Sequence, residues 1–90
     1  MADLRLEEEE IHHYYEKAKS LLGKTEITAD EYERLADESA QQERFWAAAY
    51  YYHLAESQCL PSQKADNYKK LTREMMRKAT SRGQRSQEDD

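Results

Sequence analysis

Three histidines, one cysteine and nineteen acidic residues are the groups in this 90-residue chain best suited to ligate a metal. His12 and Glu16 stand four positions apart, a spacing that puts two ligands on one face of a helix. A metal site needs a second set of ligands, and neither His13, His53 nor Cys59 supplies one at ligand spacing. No nucleophile elbow, glycine-rich phosphate loop or paired-carboxylate arrangement occurs. The run Glu7–Glu10 reads as the solvated start of a helix, favoured by the helix dipole. The chain is therefore expected to be no enzyme, with no metal and no cofactor.

What remains is the chemistry of contact. Seven tyrosines and one tryptophan are many for this length. Such residues bury a large area while keeping a polar tip, which suits them to binding hot spots. Tyr14, Tyr15, Trp46, Tyr50 and Tyr51 exceed what so small a core is expected to hold. One or two of them are expected in an exposed patch, with Trp46 and Tyr50 as anchors and Tyr51 beside them. That patch would meet another protein or a second copy of the chain.

Charge is unevenly placed. Residues 1–60 carry 14 acidic and 6 basic residues, and residues 61–90 carry 5 acidic and 8 basic ones, within a net charge of −5. Lys69, Lys70, Arg73 and Arg77 form a basic stretch that suits phosphate contact. The acidic remainder opposes such contact, which makes nucleic acid the alternative partner rather than the first one.

The elements that must position these groups are helical. Valine is absent, only two glycines and one proline occur, and strand-type alternation is nearly missing. A first helix is expected over about 4–22, with Ile11, Tyr14, Tyr15, Ala18, Leu21 and Leu22 as its buried stripe and Gly23 as its stop. A second is expected over 28–41: Thr28 and Glu31 form a capping box, flanked by an Ile27–Tyr32 staple. It should bury Tyr32, Leu35, Ala36, Ser39 and Ala40. The third, 43–59, carries FWAAAYYYHLAE and ends before Pro61. Consecutive helical residues turn by about 100°, so its three tyrosines must face different neighbours. The fourth, 62–80, opens on Ser62 and buries Ala65, Tyr68, Leu71, Met75 and Ala79. Residues 81–90 are expected to form a flexible polar tail. The fold class is thus all-α, a small bundle of four helices forming one domain over residues 1–80.

In EYERLADESAQQERFWAAAYYYHLAESQCLP, Tyr32, Leu35 and small Ala36 precede Phe45, small Ala48, Tyr52, small Ala55 and a closing proline. This pattern resembles a single tetratricopeptide repeat, a helical hairpin with small residues at the crossing and aromatics at its flanks. Ser39 departs from it, because a large aromatic is usual there. The compact unit is also similar in pattern to microtubule-interacting and trafficking domains, which bind helical peptides in their grooves. The resemblance implies a ligand groove along Asp30, Glu33, Arg34, Asp37 and Gln41, mostly acidic and suited to a basic peptide.

The expected role is a non-enzymatic protein–protein interaction module: an adaptor, a chaperone-like binder or a small assembly subunit. It would use the aromatic patch together with Asp30, Glu33 and Asp37. Its partner is expected to carry a basic segment, and a homodimer would use the same aromatics. The alternatives are a nucleic-acid binder acting through the fourth helix and a small acidic inhibitor, for instance viral, of a nucleic-acid-binding enzyme. No apolar run reaches membrane-spanning length. The acidic MADLRLEEEE start lacks the features of a secretory signal, and a single cysteine offers no disulfide framework. A cytoplasmic or nuclear setting is expected, with no membrane partner.

Overall fold

The computed structural model describes residues 6–59 and 63–83. Four helices follow one another: α1 (Glu8–Leu22), α2 (Ala29–Gln41), α3 (Phe45–Gln58) and α4 (Gln63–Ser81). The chain is all-α, and its helices pack as a small bundle. Several boundaries differ from the sequence reading, and α3 starts at Phe45 rather than at 43. Helix α1 begins at Glu8 rather than near Leu4, and α4 continues into the segment expected to be tail. There the Arg82 N–H bonds to the Lys78 carbonyl at 3.0 Å and the Gly83 N–H to that of Thr80 at 3.0 Å. The stop at Pro61, the cap at Ser62 and tail residues 84–90 lie outside the described residues.

Local chemistry explains the ends. Helix α1 stops at Gly23, whose φ of +66° closes the last turn with an N–H to Lys19 carbonyl bond of 2.8 Å. Helix α2 starts with the full capping box. The Glu31 N–H donates to Thr28 Oγ1 at 3.2 Å, and the Thr28 N–H donates to Glu31 Oε1 at 3.0 Å. Ile27 and Tyr32, the two staple residues, are both buried. A connection of only three residues, Gln42–Arg44, then turns the chain back into α3. It depends on Glu43 adopting a positive φ of 62°, a conformation that costs a side-chain-bearing residue about 1 kcal/mol. Local bonds hold it there: the Glu43 N–H to the Ala40 carbonyl at 3.0 Å and the Arg44 N–H to that of Ser39 at 2.8 Å.

Helix α3 is the middle of the molecule. Ten of its fourteen residues are buried, so it has no solvated face of any width. Helices α2 and α4 pack along it, and α1 docks on it over a shorter stretch. Alanines lie at these junctions: Ala18 on α1, Ala36 on α2, Ala48, Ala49 and Ala55 on α3, and Ala79 on α4 are all fully buried. A methyl side chain lets a neighbouring backbone come close, and the aromatics fill the space beside each crossing. On α4, Tyr68, Met75 and Ala79 are buried, while Ala65 and Leu71 are half-buried. Thr72 and Met76 join the buried set, and the Thr72 hydroxyl is satisfied by the Tyr68 carbonyl at 2.8 Å. One stripe departs from expectation. Leu21 and Leu22, assigned to the buried face of α1, are 59% and 37% exposed.

Removing the cap tests the local part of this account. Thr28→Ala deletes the oxygen that accepts the Glu31 N–H, and is expected to lower stability by about 1 kcal/mol in urea titration with an unchanged denaturant slope.

Candidate functional site

The aromatic residues form a buried junction instead of an exposed patch. Trp46 is 9% exposed, Tyr50 is completely buried, and Tyr14 and Tyr51 are each 3% exposed. Tyr15 is half-buried, with the Lys19 ammonium 4.2 Å from its ring centre. This corrects the expectation that Trp46, Tyr50 and Tyr51 face a partner. The reason is α1. Its Tyr14 ring stacks on Tyr50 with centroids 4.9 Å apart and meets Tyr51 edge-on at 5.2 Å. The Tyr50 hydroxyl accepts the Glu7 backbone N–H at 3.3 Å, just before α1 begins. These aromatics are thus the seat on which α1 sits.

The expected acidic groove is also turned toward its own fold. Asp30, Glu33 and Asp37 lie along one line of α2. Asp37 accepts a hydrogen bond from the Tyr52 hydroxyl, Glu33 accepts one from the Tyr68 hydroxyl at 2.7 Å, and Asp30 meets Lys64 at 3.4 Å. The Tyr52 and Tyr68 rings stack at 6.5 Å. The row therefore fastens α2 to α3 and α4. Burial first, and the facing carboxylate second, push both phenols well above the ordinary tyrosine range. Arg34 and Gln41 on the same helix are exposed. The exposed Asp30–Lys64 pair contributes little, on the order of a few tenths of a kcal/mol.

The basic residues of α4 divide in two. Lys69 lies 3.8 Å from Glu56, so it is partly taken up within the chain. Lys70, Arg73 and Arg77 are exposed and have no carboxylate partner among the described residues. The histidines gather no metal set: His12 is exposed, Glu16 pairs with Lys19 at 3.2 Å, and no group of three potential ligands converges among the described residues.

Two concavities flank α1. A shallow hollow of about 300 Å³ is lined by Glu8, Ile11, His12, Tyr15 and Leu54. A groove of about 230 Å³ lies between the end of α1, the end of α2 and the start of α3. Leu35, Ala47 and Tyr51 give it an apolar floor, Leu21 stands at its edge, and Lys17, Glu38 and Arg44 are its charged lining. Ser39 lines it too. Its small side chain leaves this part of the α2 surface open. Small Ser39 and exposed Leu21 on α1 face each other across the groove.

Among the described residues, one buried side-chain polar atom is unmatched. The Tyr32 hydroxyl is enclosed with no hydrogen-bond partner among the described residues. Burial pushes its phenol up to about 12, and burial likewise pushes Tyr51 up to about 12.

Three outcomes are expected. Trp46→Ala and Tyr50→Ala each remove a buried ring, Tyr50 from the α1 seat and Trp46 from beside it, and cost about 3–5 kcal/mol in chemical denaturation. Tyr32→Phe removes an unsatisfied hydroxyl and leaves stability unchanged or raises it by about 1 kcal/mol. The folded pKa values of Tyr32 and Tyr51 lie above the ordinary value near 10, so the stability they contribute is complete below about pH 10 and is lost as pH rises toward 12. Tyrosinate absorbance should therefore rise in step with loss of helical circular dichroism across that window.

Comparison of the chain with family models, with curated proteins and with solved structures finds no match, so the site rests on its own geometry.

Proposed function

We propose that this chain is a non-catalytic protein-interaction module, an adaptor or assembly subunit, that receives an apolar side chain of a partner in the groove beside Ser39. The observation that carries this reading is Leu21. A leucine 59% exposed at the edge of a groove floored by Leu35, Ala47 and Tyr51 is an apolar surface awaiting cover. Leu22, 37% exposed, is its neighbour in sequence. The charged lining, Lys17 and Arg44 against Glu38, gives such a contact the polar surround that fixes orientation. The partner is an amphipathic helix or an extended segment with one large apolar anchor. A basic segment is no longer required of it, because Glu33 and Asp37 are engaged by Tyr68 and Tyr52. The repeat-like reading of the α2–α3 hairpin belongs to the same proposal, as does a cytoplasmic setting. Among the described residues no helix is long and apolar enough to cross a membrane.

Selection from a displayed library of helical peptides tests the groove directly. The wild-type chain should enrich peptides with a large apolar anchor. Leu21→Glu at the edge and Ser39→Tyr in the groove should each weaken capture by about tenfold or more, roughly 1.4 kcal/mol, with thermal midpoints little changed. Equal capture by the wild-type and Ser39→Tyr chains would remove the groove from the reading.

A further inference from the structure

Helix α4 presents a second exposed surface of a different kind. Lys70, Arg73 and Arg77 are spaced by three and four residues, which sets them in one line on the solvent side of the helix. Most other described cations are taken up. Lys19, Lys24, Lys64, Lys69 and Arg82 meet carboxylates, Lys17 and Lys78 lie over the Tyr14 and Phe45 rings, and Arg44 has its own interaction. The exception outside α4 is Arg34, which stands alone on α2. A chain of net charge −5 thus matches most of its cations internally and leaves three of them in a row.

We propose that this row binds the phosphodiester backbone of duplex nucleic acid, without regard to base sequence. The choice of occupant follows from what surrounds the three cations. The other exposed positions on this side include Asp66, Asn67, Glu74 and Ser81, and no exposed position from Lys64 to Arg82 is apolar or aromatic. A protein partner draws most of its affinity from buried aromatic or apolar anchors, and this face offers none. A single strand is held by stacking its bases on aromatic rings, and these too are missing from the face. A duplex backbone needs only cations at suitable spacing. Lys70 to Arg77 spans about 10 Å of helix axis, the rise of roughly three nucleotides. Asp66 and Glu74 beside the row, and the acidic remainder of the chain, make the binding weak and confine it to low salt. None of the three cations lines the groove beside Ser39, so the proposal stands or falls apart from the one above.

Fluorescence anisotropy with a labelled DNA duplex of arbitrary sequence is the test. The full chain should bind with a dissociation constant on the order of 10⁻⁵ to 10⁻⁴ M near 50 mM NaCl. Affinity should fall by about 40-fold between about 50 and 200 mM, the slope for three phosphate contacts. Replacing all three residues (Lys70→Gln, Arg73→Gln, Arg77→Gln) should lower affinity at least tenfold at an unchanged thermal midpoint. Arg73→Lys, which keeps the charge, should stay within threefold, and this separates loss of charge from damage to the fold. Absence of binding near 50 mM overturns the proposal, as does undiminished binding by the triple variant. Tighter binding of a single strand, or displacement of the duplex by an equal charge of polyglutamate, also overturns it, the second by reassigning the row to an acidic protein surface.

Discussion

The fold depends on covering one helix. Helix α3 is buried around most of its circumference, and an element of that kind has no stable place at a surface. Each other helix supplies one wall: α2 and α4 along its length, α1 across its aromatic beginning. The adjacent tyrosines show how this is achieved with so few residues. Tyr50 and Tyr51 meet Tyr14 of α1, while Tyr52 reaches Asp37 of α2 and stacks on Tyr68 of α4. Three neighbours in sequence thus hold three different helices, because successive side chains leave the helix about 100° apart.

The sequence made local features legible. Gly23, the Thr28–Glu31 box and the stripes of α2 and α4 are written in short-range patterns, and short-range bonds realise them. The wide apolar arc of α3 was legible for the same reason. Partitioning the aromatics was not, since it depends on how α1 lies over α3. The expectation that so small a core must expel one or two of them counted volume and overlooked geometry. With alanine at the crossings on all four helices, the backbones stand close enough for the rings to be shared between neighbours.

The same limit explains the acidic row. Asp30, Glu33 and Asp37 read as an outward-facing partner surface because no pattern in sequence announces a tyrosine hydroxyl arriving from 15 or 35 residues away. Leu21 failed in the opposite sense. Its spacing from Tyr14 and Ala18 puts it on the buried side of α1, yet small Ser39 and Ala47 leave the space opposite it open. Periodicity reports which side of a helix faces inward and says nothing of whether a neighbour reaches that far. Small Ser39 on α2, beside the open space, was the clue available.

The docking of α1 has a consequence for the order in which the protein is made. Helices α2, α3 and α4 find their main partners next to them in sequence, with a three-residue turn between the first two, so their contacts form quickly once each has emerged. Helix α1 leaves the ribosome first, but its seat is Tyr50 and Tyr51, a whole helix later. Until α3 follows, Tyr14 and Ala18 have nothing to cover them. The nascent chain therefore carries its aromatic segment exposed for the time it takes to synthesise about thirty more residues at roughly 5–20 per second, about 1.5–6 seconds. An acidic opening such as Glu7–Glu10 keeps that waiting segment charged in the meantime.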